Sequence, residues 1–183
     1  MIYTYPHTIE NGLGEKIIFK SVESTPNGDK VILDAFCTPG AGPAMHTHLK
    51  QDEELTVVSG TMGYQILGHE PKIASKGETV LFKRGTPHKF WVEGHETLYC
   101  KGWIHPANSI VFFLSAVYAA QKKSGKGEPE PFDGAYLLTK YSSEYDMPEI
   151  PLFVKKIVFP IFRTIGRLSG KYNHFKDAPT PLK

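Results

Sequence analysis

Four side chains in this sequence are of the types and at the spacing needed to do chemistry together. They are His46 and His48, Glu53 a few residues on, and His88 after a Gly-Thr-Pro turn. Side chains two apart in a strand point the same way, so His46 and His48 share a face. Glu53 has the opposite parity if counted straight through. The polar run from Leu49 to Asp52 predicts a bend, which returns Glu53 to the inner face together with Leu55 and Val57. His88 leads a further strand with Phe90 on its own face. Such a set of imidazoles with one carboxylate suits a divalent first-row transition metal ion (Fe, Mn, Ni, Co, Cu or Zn) without choosing among them. Chance placement is the weaker explanation, because charged and imidazole groups aimed into an apolar interior are costly unless paired or metal-bound. Glu54 and Asp52 are the alternative carboxylates, and register favours Glu53.

The elements that must position these residues are short. From about Ile17 to His105 the chain alternates runs rich in Val, Ile, Thr, Tyr and Phe with Gly, Pro, Asn and Asp punctuation. Strands are expected at Lys16–Ser21, Lys30–Cys37, Ala44–His48, Leu55–Val58, Met62–Leu67, Thr79–Phe82, His88–Val92 and Thr97–Trp103. No long helix intervenes to carry a crossover, so the pairing should be antiparallel. After His105 the pattern becomes helical. Asn108-Ser109 should cap a helix from Ile110 to about Lys123, a short helix should cover Asp133–Tyr141, and a third, interrupted by Pro160, should run from Pro151 to Leu168.

The spacing Gly40, five residues, His46, one, His48, four, Glu53, six, Gly60 resembles the first motif of the cupin superfamily at every fixed position. Gly77, Gly85 and His88 match the second motif in part, with Lys83 where that family usually has proline and Val92 where it often has asparagine. The resemblance spans about Ile32 to Trp103. It implies a mainly β fold, a cupin-type jelly roll or double-stranded β-barrel, with the metal inside its wider mouth. Two regions are therefore expected: residues 1–105 as the barrel, and 106–183 as a C-terminal helical extension packing on the barrel or on a partner subunit. Leu55, Tyr64, Phe82 and Phe90 are the candidates to line a substrate pocket around the metal, with plain core packing as the alternative. Glu53 and Tyr64 are the candidate catalytic groups, the first as a base and the second as a hydrogen-bond donor or acid.

Composition narrows the class further. A net charge of +2 is too small for a typical nucleic-acid binder, so no nucleic-acid partner is expected. The charge is unevenly spread, with seven basic residues against one acid, Asp177, from Pro151 onward. That basic amphipathic segment also fits a membrane surface, a reading ranked behind packing on the barrel or on a second copy. A homodimer is the expected assembly. Cys37 and Cys100 have no metal-binding or redox spacing, and the first residues show no secretory signal, so a reduced, cytoplasmic setting is expected. The leading functional expectation is a metal-dependent oxygenase, dioxygenase-like, acting on a small organic molecule. The alternatives are a metal-assisted isomerase or lyase that uses no oxygen, and a non-catalytic small-ligand binder or sensor. The fold alone does not choose among them.

Overall fold

A computed structural model describes residues 3–182. Its strands are β1 (His7–Glu10), β2 (Glu15–Thr25), β3 (Gly28–Cys37), β4 (Thr47–His48), β5 (Asp52–Ser59), β6 (Met62–Ile66), β7 (Lys72–Ala74), β8 (Thr79–Phe82), β9 (His88–Val92), β10 (Leu98–His105) and β11 (Tyr145–Asp146). The helices are α1 (Ile110–Ser124), α2 (Pro131–Lys140) and α3 (Phe159–Leu168). The strands pair antiparallel in three sheets, ordered β1-β2-β3-β10-β5-β8, β7-β6-β9 and β11-β4. Among the described residues no continuous ladder closes the expected barrel, which is open between its sheets.

Strict alternation along β5 explains its place near the centre of the large sheet. Glu53, Leu55 and Val57 are buried while Asp52, Glu54 and Thr56 point outward. From the other strands Phe19, Met62, Phe82, Leu98 and Ile104 complete a core almost free of solvent. The turn between β5 and β6 depends on Gly60, whose φ of +75° lies in the left-handed region. A Cβ there would stand 2.8 Å from the Thr97 carbonyl oxygen, so both backbone geometry and space exclude a side chain.

The helical segment is tied to the sheets by specific contacts. His7 meets Ser115 at 3.0 Å, Tyr118 donates to Glu15 at 3.0 Å, and Lys122 pairs with Glu10, all joining α1 to the first two strands. Ser109 stands at the N-cap of α1 as expected, but its hydroxyl makes no cap bond. It donates instead to the buried carboxylate of Glu144 at 3.0 Å, while the Ser109 backbone N–H donates to the same oxygen at 3.3 Å. A negative side chain from further along the chain thus sits at the positive end of the helix and replaces the local cap.

The expected third helix is continuous from residue 152 to 168, with a π-helical turn over Val154–Val158 leading into α3. Pro160 accounts for the irregularity. It has no N–H to offer the turn before it, and a wider turn accommodates the missing bond without breaking the helix.

Candidate metal centre

Backbone hydrogen bonds bring the two sequence stretches together. His46 and His88 exchange reciprocal bonds, His46 N–H to His88 O at 2.9 Å and His88 N–H to His46 O at 2.8 Å. Gly85, at φ +77°, turns the chain before His88 and donates its N–H to the His48 carbonyl at 2.7 Å. The expected strand Ala44–His48 is reduced to β4 and this bridge. The expected bend follows at Leu49 and Lys50, after which β5 opens with Asp52 and turns Glu53 inward.

One potential ligand atom from each of His46, His48, Glu53 and His88 lies within 4.8 Å of all the others, so the four form a group able to hold a metal ion. Nε2 of His88 stands 3.1 Å from Glu53 Oε2, and Nε2 of His48 stands 3.5 Å from the same oxygen. The rings are aimed from behind: Nδ1 of His46 faces the Ala44 carbonyl and Nδ1 of His88 the Thr86 carbonyl, each at 2.8 Å. A carbonyl can only accept, so Nδ1 carries the proton in both rings and Nε2 is the atom left for an ion. Phe82 stacks on His88 at 4.0 Å and nearly parallel, fixing the plane of that ring.

Electrostatics match this role. Burial, then the neighbouring His88 and His48, push His46 down to about 3. Burial pushes His48 down to about 4, against the opposing pull of Glu53. Burial by itself would raise Glu53, but the close contact with His88 and the fields of His48, His88 and His46 outweigh it and hold the carboxyl well below the usual range. Near neutral pH His46 and His48 are therefore neutral and Glu53 is a carboxylate, the protonation states that metal ligation requires. A further sign of fit is His48, whose Nδ1 is buried without a hydrogen-bond partner among the described residues. A buried ring so weakly satisfied is costly unless its other nitrogen is put to use.

The remaining sequence-derived residues fall in distinct places. Glu54 accepts from Trp103 Nε1 at 2.8 Å on the outer face of β5, and Asp52 is held by Arg84 at 2.7 Å, so both alternative carboxylates are engaged elsewhere. Leu55, Phe82 and Phe90 are buried, and half-buried Tyr64 pairs with Phe90 across β6 and β9. Tyr64 meets Phe82 edge to face at 5.9 Å, one ring removed from His88. Two clefts of about 310 and 330 Å³ are lined by other residues, from the start of α1 and from the α2–α3 region.

Sequence reasoning missed the contribution of the C-terminal segment to this centre. Tyr145 of β11 pairs with His48 of β4 and sets its ring perpendicular to the imidazole at 5.7 Å. Gln51, wholly buried, donates through Nε2 to Glu144 at 3.0 Å and to Tyr145 Oη at 3.2 Å. Phe113 of α1 stacks on Tyr145 at 3.9 Å. No local spacing announces contacts between residues more than ninety positions apart.

Comparison with known proteins fits this geometry. The family model "Cupin domain" matches residues 37–104. A curated relative, Oxidoreductase iacF from Pestalotiopsis fici, is 32% identical over 100 residues, covering 50% of this chain and 49% of that protein. The chain thus spans about half the length of that relative. Among solved structures, a cupin-like protein from Thermotoga maritima is 22% identical with a TM-score of 0.43, covering 50% of this chain and 68% of that one. KdgF from Halomonas sp. is 20% identical with a TM-score of 0.42, covering 50% and 80% respectively. The match to the cupin domain thus takes in residues 37–104, with their motif glycines and the His46, His48, Glu53 and His88 group.

Proposed function

We propose that the protein is a metal-dependent oxidoreductase of the cupin superfamily, an oxygenase of dioxygenase type acting on a small organic molecule. The observation that carries this reading is the convergence of His46, His48, Glu53 and His88, with the His46 and His88 rings already oriented by backbone carbonyls. The likeness of half the chain to an oxidoreductase supports it. A divalent first-row ion held there would supply Lewis-acid or redox chemistry and, with four protein ligands, keep about two positions for a small ligand.

The protein's own residues supply the rest. His46, His48, Glu53 and His88 would hold the ion, and Phe82 keeps the His88 ring from rotating. Glu53, ionised and 3.1 Å from His88 Nε2, would be the fourth ligand and, when released from that role, the base that takes a proton from an acidic substrate group. Tyr64, in the ring layer next to Phe82, is the proton donor at the edge of the same site. Leu55, Phe82 and Phe90 make its surroundings apolar, which strengthens every charge interaction inside.

The test is to load the purified protein anaerobically with Fe(II) or Mn(II) and follow oxygen uptake with phenolic and flavonol-like compounds. Stoichiometric uptake with product formation is expected. Product formed without oxygen consumption would assign an isomerase or lyase instead. A ligand held without turnover would assign a binding protein.

A further inference from the structure

The helical run 152–168 has two apolar faces, and only one is used within the chain. The inner face packs through Phe162 on Phe132 at 5.1 Å and through Gly166, which leaves no room for a side chain against Tyr172. Tyr172 closes the contact by donating to the Phe162 carbonyl at 3.2 Å. On the outer face Leu152, Phe153, Ile157, Ile161, Ile165 and Leu168 are 49 to 84% exposed. From Phe153 their spacing is four, four, four and three, which draws one stripe along the run. Folding has therefore satisfied the segment and still left its most apolar row in water, which marks a surface made for a partner.

The charges carried on the same run point to what that partner is. Lys156, Arg163 and Arg167 are exposed on the same segment, and no acidic residue occurs between Pro151 and Lys176. Lys155 is engaged with Asp146 at 2.7 Å. Two copies meeting stripe to stripe would bring two basic segments together with no carboxylate on either segment to neutralise them. An anionic bilayer surface complements both features at once, taking the apolar row at the headgroup boundary while the segment's basic charge is drawn to the lipid phosphates. No helix among the described residues is long and apolar enough to cross a membrane, so the contact would lie in the plane of the surface. We propose that residues 152–168 dock the protein on bilayers rich in anionic lipid.

Co-sedimentation of the full chain with vesicles tests this directly. Vesicles of phosphatidylcholine with roughly one-third phosphatidylglycerol should bind the protein at least about ten-fold better than pure phosphatidylcholine, and high salt should remove the difference. Each basic residue near the surface strengthens binding roughly five-fold, so Arg163→Gln with Arg167→Gln should weaken it about thirty-fold. Phe153→Asp with Ile161→Asp should abolish it. Both pairs are exposed, and unchanged thermal unfolding confirms that each variant is folded. Equal sedimentation with both vesicle types, or binding that survives the aspartate pair, would overturn the proposal. So would a wild-type dimer that ignores vesicles and becomes a monomer in the aspartate variant, since the stripe would then belong to a second copy.

Discussion

Replacing Glu144 by alanine removes the group that fastens the C-terminal segment to the candidate metal centre. Its carboxylate is fully buried and accepts from Gln51 Nε2 at 3.0 Å, Ser109 Oγ at 3.0 Å, Ser109 N–H at 3.3 Å and Leu182 N–H at 2.9 Å. Every partner is a donor, as a carboxylate requires. Hydrogen bonds to a charged acceptor contribute roughly 1.5–3 kcal/mol each, but they act as a unit and do not add. Leaving the donors unpaired in the interior should cost about 3–5 kcal/mol in total. For a chain of this size that is a fall in Tm of about 6–20 °C. The Glu144 carbonyl also accepts from the Leu49 N–H at 2.7 Å, next to His48, so loosening this region should weaken metal affinity by about ten-fold. Glu144→Gln keeps one acceptor oxygen and should fall between parent and alanine variant. Thermal unfolding and metal titration of the three proteins provide the measurement. An alanine variant that unfolds within about 2 °C of the parent and binds metal equally well would refute the view that this segment supports the site.

Three other outcomes follow from the same structure. Phe82→Ala should cost about 3–5 kcal/mol by leaving a cavity against His88, whereas Phe82→Leu should cost less and retain more metal, as read by denaturant unfolding and metal content. Gly60→Ala should cost about 1–3 kcal/mol, because it forces a side chain into a left-handed backbone and against the Thr97 carbonyl. The metal-free protein should lose stability as pH falls. His46 and His48 stay unprotonated in the folded state down to about 3 and 4, while in the unfolded state they take up protons near 6.5. Glu53 acts in the same direction below its ordinary value of 4.5. The unfolded state therefore binds more protons throughout that range, and Tm should decline progressively from about pH 6.5 downward. A Tm that is flat, or that rises on acidification to pH 4, would contradict the assignment of buried neutral imidazoles.

The motif region was legible in the sequence because its constraints are local. Alternation on β5, the His46–His48 parity and the glycine punctuation each depend on neighbouring residues, and they led to the sheet core and to the four clustered side chains. What escaped was short or distant. β1 buries one side chain, Ile9, and β7 only Ala74, too few to impose a period, so neither was anticipated. β11 is two residues long and exists only because Tyr145 meets His48 from far along the chain. The cap expected from Ser109 failed for a related reason: a buried carboxylate from a remote segment outcompetes the helix's own N–H groups for that hydroxyl. For the segment 152–168 the helical period was readable, but which apolar row would be buried depended on Phe132 and Tyr172, which periodicity does not reveal.

The account rests on one shared cation, and metal content measures it directly. Purified wild-type protein, dialysed and analysed by elemental mass spectrometry, should retain about one divalent first-row ion per chain. His46→Gln with His48→Gln, folded by circular dichroism, should retain less than about a tenth of that. Equal metal in both proteins, or none in the wild type after loading with each first-row ion, would contradict it.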